Sequence, residues 1–331
     1  MKKVTMKDIA IKAGVSKATV SMVLNKKDGS ISAETKNKIL KIAEELNYIP
    51  NGVARSLSTN KSETIGIILP DIINPFFSEI ARAIEDTASK LNYNVIFCNT
   101  DSDVYKEINY TKLLISKLVD GVIFITGGKS NHPLEILQSN NVPFVLVDRD
   151  VEDQDNYCGV YCLNKEGVIQ GLEYLISKGR KNIAFVTGNK GLKVSKQRIE
   201  GYKDVMSKYD MFKENLIFES DFTIEGGMEI TEKIISENKE IDSIFYSNDI
   251  MALGGLKVLL RRGFKVPGEI SVIGFDNINI SNFTEPELTT IAQPIYEMGK
   301  QSCETLIDII DGNAVNNKIY FKPELIIRGT T

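Results

Sequence analysis

The sequence predicts an α/β protein: a small all-α head (residues 1–49), a linker (50–61) and a large body of parallel sheets (62–331). Three observations predict it. The chain has 331 residues, which at roughly 150 per domain allows two or three full cores. Its charge is divided: residues 1–61 hold 12 Lys and Arg against 5 Asp and Glu, a net of +7, while the rest carries −11. From Thr64 onward, apolar runs of strand length alternate with stretches of helical period, as in parallel strands covered by helices on both faces.

Composition removes several classes. Hydrophobic residues make up 42% and charged residues 25%, near the globular average, and no apolar run reaches the roughly 20 residues of a membrane helix. Lys2 and Lys3 precede no apolar stretch or cleavage site, so no secretory leader is expected and the protein is placed in the cytoplasm. Of the four cysteines, Cys158 and Cys162 have three residues between them rather than the two of a redox or zinc pair; all four are expected to be reduced packing residues. A basic head on an acidic body is the footprint of a nucleic-acid module joined to something that is not one.

In the head, Thr5 with Asp8 three positions on suits a helix start, and a short helix over 6–12 ends at Gly14. Ser16 caps a second helix, 17–24, whose Val20, Val23 and Leu24 form an apolar stripe, and the two make a helix-turn-helix. Ser32 opens a third, with Ile39, Ile42, Ala43 and Leu46 at helical spacing. In such a module the second helix enters the major groove. Lys17, Ala18 and Met22 are the candidate base readers, and Ser16, Thr19 and Ser21 suit phosphate. In the linker, Asn51 caps a segment over 52–57 too short to be a stable helix alone. It should order on a partner, with Arg55 drawn into a minor groove and Leu57 wedged between base steps.

In the body the spacing predicts strands over 65–69, 94–98, 121–125, 144–147, 182–186, 216–218, 243–246 and 271–274. Helices are predicted over 79–91, 106–117, 133–140, 165–179, 195–209, 225–238 and 249–262. Four units before about Cys162 and four after it fit two similar lobes, and ligands of such sheets bind beyond the carboxyl ends of strands. Carboxylates, amides, guanidinia and aromatic rings collect at those ends: Asn74, Phe76 and Phe77, Asp148 and Arg149, Arg198, Phe222, Asn248, Asp276, and later Gln293. Carboxylates accept from sugar hydroxyls, arginine and asparagine donate to oxygens, and phenylalanines cover apolar sugar faces, so the set suits a neutral polyhydroxylated ligand.

Enzyme motifs are missing. Gly127-Gly128-Lys129-Ser130 imitates a phosphate loop but has Ile123 where the motif needs glycine. No Gly-x-Gly-x-x-Gly follows the first strand, and the single histidine, His132, is read as a loop residue without a carboxylate partner. Neither catalysis nor a cofactor or metal is expected.

The chain resembles the LacI family of bacterial transcription regulators. The carriers are Val4-Thr5-Met6-Lys7-Asp8-Ile9-Ala10, Ala13-Gly14-Val15-Ser16, Ala18-Thr19-Val20-Ser21, Val23-Leu24-Asn25, Leu46 to Asn51, and Val53-Ala54-Arg55-Ser56-Leu57. The resemblance adds Thr5, Asn25, Val53 and Ala54 to the expected DNA contacts. Met22 stands where many relatives carry Arg, so the operator is expected to differ there. The body is similar to periplasmic sugar-binding proteins, and the ten residues above match those that hold ribose in such proteins and in ribose-operon repressors. The resemblance implies an effector-binding, dimerising domain with one lobe over about 62–161 and 292–321 and the other over about 162–291 and 322–331. It implies a homodimeric repressor of a sugar operon, with operator DNA and a small sugar, ribose foremost, as partners and no membrane. Two variants of that expectation are a carbon regulator with a phosphorylated protein corepressor and a repressor answering to a sugar acid.

Overall fold

The computed structural model describes residues 4–25, 28–49, 61–125, 130–148, 157–237 and 240–331. They fall into two compact units, Met1–Glu63 and Thr64–Thr331. The expected linker contacts Asn51, Val53, Ala54, Arg55 and Leu57, and also Arg149 and the false phosphate loop at 127–129, lie outside the described residues.

The first unit holds α1 (Met6–Ala13), α2 (Lys17–Leu24) and α3 (Ala33–Glu45). Local chemistry sets their ends. The Asp8 carboxylate accepts from the Thr5 backbone N–H and hydroxyl at 2.8 and 2.7 Å. Gly14 takes a left-handed φ of 72°, which turns the chain after α1 without a Cβ penalty. Ser16 and Ser32 accept from the backbone N–H groups of Thr19 and Thr35 at the starts of α2 and α3. The apolar stripes meet in one core of Ile9, Ala10, Ala13, Val20, Val23, Ile39, Ile42 and Ala43.

The second unit carries two six-stranded sheets. The first is built from β1 (Thr64–Leu69), β2 (Asn94–Asn99), β3 (Gly121–Phe124), β4 (Phe144–Val147), β5 (Gly159–Cys162) and β11 (Lys318–Phe321) in the order β11-β5-β4-β3-β1-β2, all parallel. The second uses β6 (Ile183–Thr187), β7 (Ile217–Glu219), β8 (Ser243–Tyr246), β9 (Ser271–Asp276), β10 (Thr289–Ala292) and β12 (Glu324–Ile326) in the order β12-β10-β9-β8-β6-β7. Among the described residues only β12 runs against its neighbour, β10, a departure from the expected parallel sheets.

Helices α4 (Pro75–Lys90), α5 (Val104–Ser116), α6 (His132–Ser139) and α11 (Ile295–Ile310) cover the first sheet. The second is covered by α7 (Asn164–Ser177), α8 (Lys193–Lys208), α9 (Ile224–Glu237) and α10 (Asp249–Arg261). Both sheets reverse strand order at one point, between β1 and β3 and between β6 and β8, and such a reversal opens a crevice at the strand carboxyl ends. The chain passes between lobes after β5, β10 and β11. The first and third passages are tied together where the Leu163 N–H donates to the Phe321 carbonyl at 2.9 Å and Gln170 Nε2 to that of Pro323 at 3.2 Å.

Sequence patterning missed β5, β10, α11, β11 and β12; for β11 and β12 the reason is that short half-exposed strands at a sheet edge have no periodicity of their own. The helix expected from residue 79 starts at Pro75, since Asn74 caps it and proline suits the first turn. His132 is not in a loop: it begins α6, and its Nδ1 lies 3.3 Å from Glu135 Oε2 one turn on, so it does have a carboxylate neighbour. Cys98, Cys162 and Cys303 are buried free thiols, and burial pushes Cys98 up to about 11 and the other two to about 12.

Fully buried Asp249 accepts from the Ile278 N–H at 2.9 Å and from the hydroxyls of Ser281 and Thr290 at 2.8 and 2.5 Å. Desolvation outweighs these bonds and pushes its carboxyl from 3.8 to about 6. The folded state therefore holds this proton more tightly than the unfolded state. Its contribution to stability is complete below pH 3.8 and is lost as the pH rises through 6. Between pH 7 and 5 the native protein is expected to gain about 1 kcal/mol relative to Asp249→Asn, measured by urea unfolding of both at each pH.

Candidate functional site

Two groups of residues are brought together, one in each unit. In the first unit, α2 buries Val20 and Val23 against the core, which turns Lys17, Ala18 and Met22 outward on one exposed face. Ser16 is also exposed, but its hydroxyl caps α2 and lies 2.9 Å from that of Thr19. Ser21 receives a bond from Asn25 Nδ2 at 3.2 Å. The start of α2 thus presents a cation, a methyl, a thioether and two hydroxyls on one surface, a set suited to base edges and phosphates. The Thr5 hydroxyl, also exposed, is engaged with Asp8.

The second unit opens into a cavity with about 370 Å³ of empty space, part of it open to solvent, lined by Asn74, Phe76, Phe77 and Asp148 from one lobe and Val194, Arg198, Phe222, Asn248 and Asp276 from the other. Eight of the nine were expected from sequence. Asn74 caps α4 by accepting from the Phe76 N–H at 3.1 Å, and the helix start carries Phe76 and Phe77, packed edge to face with centroids 5.2 Å apart. Asn248 caps α10 through the Met251 N–H at 3.0 Å and donates to the Phe222 carbonyl at 3.3 Å. Side chains that end helices and loops are therefore also those that face the cavity.

Arg198 is buried and held on three sides. Its Nε donates to Asn164 Oδ1 at 2.8 Å, one terminal nitrogen donates to the Ser247 carbonyl, and the guanidinium lies 3.8 Å over the Phe275 ring. No hydrogen bond from its Nη2 occurs among the described residues, so N–H donors remain on the cavity-lining guanidinium. Asp276 is buried beside it. Desolvation raises its carboxyl well above the usual range against the pull of Arg198, and Asp249 and Asp148 push it the same way. Gln293 was expected in the lining; it stands behind Asp276 instead, donating to Asp276 Oδ1 at 2.8 Å.

Three of these residues occupy the left-handed region: Asp148 and Phe222 at φ 65° and Asp276 at 117°. Non-glycine residues persist there only where the surroundings over-determine them, and such residues cluster at ligand sites. Gly188 shows one such constraint. A Cβ at that position would meet the Phe222 ring at 1.9 Å, so only glycine admits the ring where it stands.

Three contributors escaped the sequence reading. Val194 is one helical turn before Arg198 and shares its face, a spacing that points to it. Asn164 follows β5, a strand that patterning did not find, and Phe275 reads as core. Chemically, the cavity offers two carboxylates, a fixed guanidinium, two amides and three rings; among the described residues no group of His, Cys, Asp and Glu that could hold a metal ion occurs.

A helical DNA-reading module on a two-lobed body with a polar cavity defines a ligand-responsive DNA-binding protein. Residues 5–51 match the model of bacterial regulatory proteins of the lacI family, and residues 172–331 match the periplasmic binding protein-like domain. The ribose operon repressor of Halalkalibacterium halodurans is 40% identical over 99% of this chain and 97% of its own. The chain belongs to the LacI family and is a DNA-binding transcription repressor. Among solved structures, the lac repressor dimer bound to operator and an anti-inducer superposes with a TM-score of 0.90 at 28% identity, covering 99% of each chain. A LacI-family regulator from Enterococcus faecium with bound ribose has a TM-score of 0.74 at 32% identity, over 81% of this chain and 98% of that one. No helix among the described residues is long and apolar enough to cross a membrane.

Proposed function

We propose that this repressor controls a sugar-utilisation operon and that a small neutral sugar, ribose foremost, sets its operator affinity. The observation that supports this reading best is the cavity between facing strand ends, with Asp148 and Asp276 as acceptors, Arg198 as donor and Phe76, Phe77 and Phe222 as covers. The likeness to a ribose operon repressor and to a ribose-bound regulator supports the same sugar. A sugar acid fits less well, because Arg198 already has two hydrogen bonds and two carboxylates share the cavity. In this reading residues 1–49 read DNA, 50–61 form the hinge, with Asn51, Val53, Ala54, Arg55 and Leu57 on the minor groove, and 62–331 bind effector and dimerise. Arg149, next to Asp148, completes the ligand set. Two heads on a two-fold dimer supply the specificity one head lacks, so a mass near twice 36.9 kDa is expected in ultracentrifugation. Sugar closes the lobes and moves the segments that enter the linker, lowering operator affinity.

Calorimetric titration of the full chain with ribose, other pentoses, hexoses and a keto-deoxy sugar acid tests this, since zero tryptophan makes intrinsic fluorescence a poor probe. Saturable ribose binding is expected, and operator DNA should weaken it by the same factor by which ribose weakens operator binding. Equal ribose affinity with and without operator, or no heat with any sugar, would contradict the reading.

A further inference from the structure

We infer that Arg328 is a positioning residue for the cavity carboxylate of Asp276, acting through the side chain of Asn277. The inference rests on the sugar reading of the cavity. Asp276 and Asn277 are consecutive residues with positive φ, 117° and 60°, at the end of β9. Two adjacent L-residues hold such a backbone only when neighbouring groups fix it from several directions. Gln293 holds Asp276 itself, its side chain donating to Asp276 Oδ1 at 2.8 Å and its backbone N–H to the Asp276 carbonyl at 3.3 Å, but neither bond reaches Asn277.

The groups that fix the next residue, Asn277, come from other elements. The Arg328 guanidinium spans two acceptors, one terminal nitrogen donating to Asn277 Oδ1 at 2.6 Å and the other to the Leu288 carbonyl at 2.6 Å. A planar guanidinium sets the spacing of its two acceptors, which the single ammonium of lysine does not do. Arg328 therefore clamps the residue after Asp276 to the chain entering β10. Its own backbone N–H is anchored on Thr289 Oγ1 at 2.9 Å. The Asn277 N–H donates to Thr290 Oγ1 at 3.3 Å, and that hydroxyl donates to Asp249. Asp249 also takes the Ile278 N–H, so residues 277 and 278 are held from three elements at once. None of these groups lines the cavity. Their common effect is to decide where the Asp276 carboxylate points.

The test uses the full-length protein and three readouts: ribose titration by calorimetry, operator affinity without sugar, and thermal midpoint. Arg328→Gln removes the clamp. Asn277→Gly removes its acceptor while suiting the left-handed backbone, so it leaves no strain of its own. Both variants are expected to raise the ribose dissociation constant about 10- to 100-fold, with sugar-free operator affinity within about twofold of the parent. Arg328→Lys is expected to restore only part of the ribose affinity. A purely structural role would instead lower the thermal midpoint of Arg328→Gln and leave ribose affinity alone. Should Arg328→Gln not fold, Asn277→Gly decides by itself. Parental ribose affinity in folded Asn277→Gly would overturn the inference. A parent protein that binds ribose but variants that match it sink this inference alone, whereas a parent that binds no sugar overturns the sugar reading and this inference with it.

Discussion

Replacing Asp276 with alanine is expected to raise the dissociation constant for ribose at least about 100-fold, the equivalent of about 3 kcal/mol. The carboxyl group is buried, lines the cavity with Asn74, Phe76 and Arg198, and offers its oxygens to ligand hydroxyls. Hydrogen bonds from ligand hydroxyls to a desolvated carboxylate are worth about 1.5–3 kcal/mol each, and one carboxylate can take two. The variant is expected to fold as well as the parent at pH 7. Burial raises the Asp276 carboxyl well above its ordinary range, so its charged form burdens the native state and alanine removes that burden. Calorimetry and thermal unfolding of one preparation separate the two effects. Unchanged ribose affinity would remove Asp276 from the site, and a fall in the thermal midpoint with unchanged affinity would make it a structural residue.

Replacing Ile9 with alanine is expected to abolish operator binding while leaving ribose binding intact. Ile9 is fully buried at the centre of a core of eight apolar residues. Truncating such a residue costs about 2–4 kcal/mol, and a three-helix unit this small has little more than that to lose. Ala18, Lys17 and Met22 keep their common face only while α2 is packed on Val20 and Val23. The body has its own cores and shares none of these residues. Anisotropy of a labelled operator and calorimetry with ribose read the two units separately. Retained operator affinity in a variant whose head is unfolded would show that DNA is read elsewhere.

What was legible in the sequence was what neighbouring residues decide among themselves. Ser16 and Ser32 cap helices they adjoin, Gly14 turns the chain where a left-handed residue is needed, and the periods of Val20 and Val23 or Ile39 and Ile42 mark faces before any partner is known. Most of the cavity lining was legible for a related reason. The carboxyl end of a strand is a local feature: Asn74, Asp148, Phe222 and Asn248 follow strands closely, and Asp276 ends one.

Tertiary structure alone decided how those residues act. Arg198 is aimed by Asn164, 34 positions away, and by the Phe275 ring. Asp276 is held by Gln293, and its neighbour Asn277 by Thr290 and by Arg328, the last 51 positions beyond Asn277. β11 and β12 exist only because β5 and β10 offer edges for them to join. The division has one physical cause. Caps, turns and helical periods are satisfied by groups within about four residues, which any reading of the chain can see. The desolvation of Asp276 and the direction of Arg198 depend on what packs around them after the chain has crossed between its lobes three times.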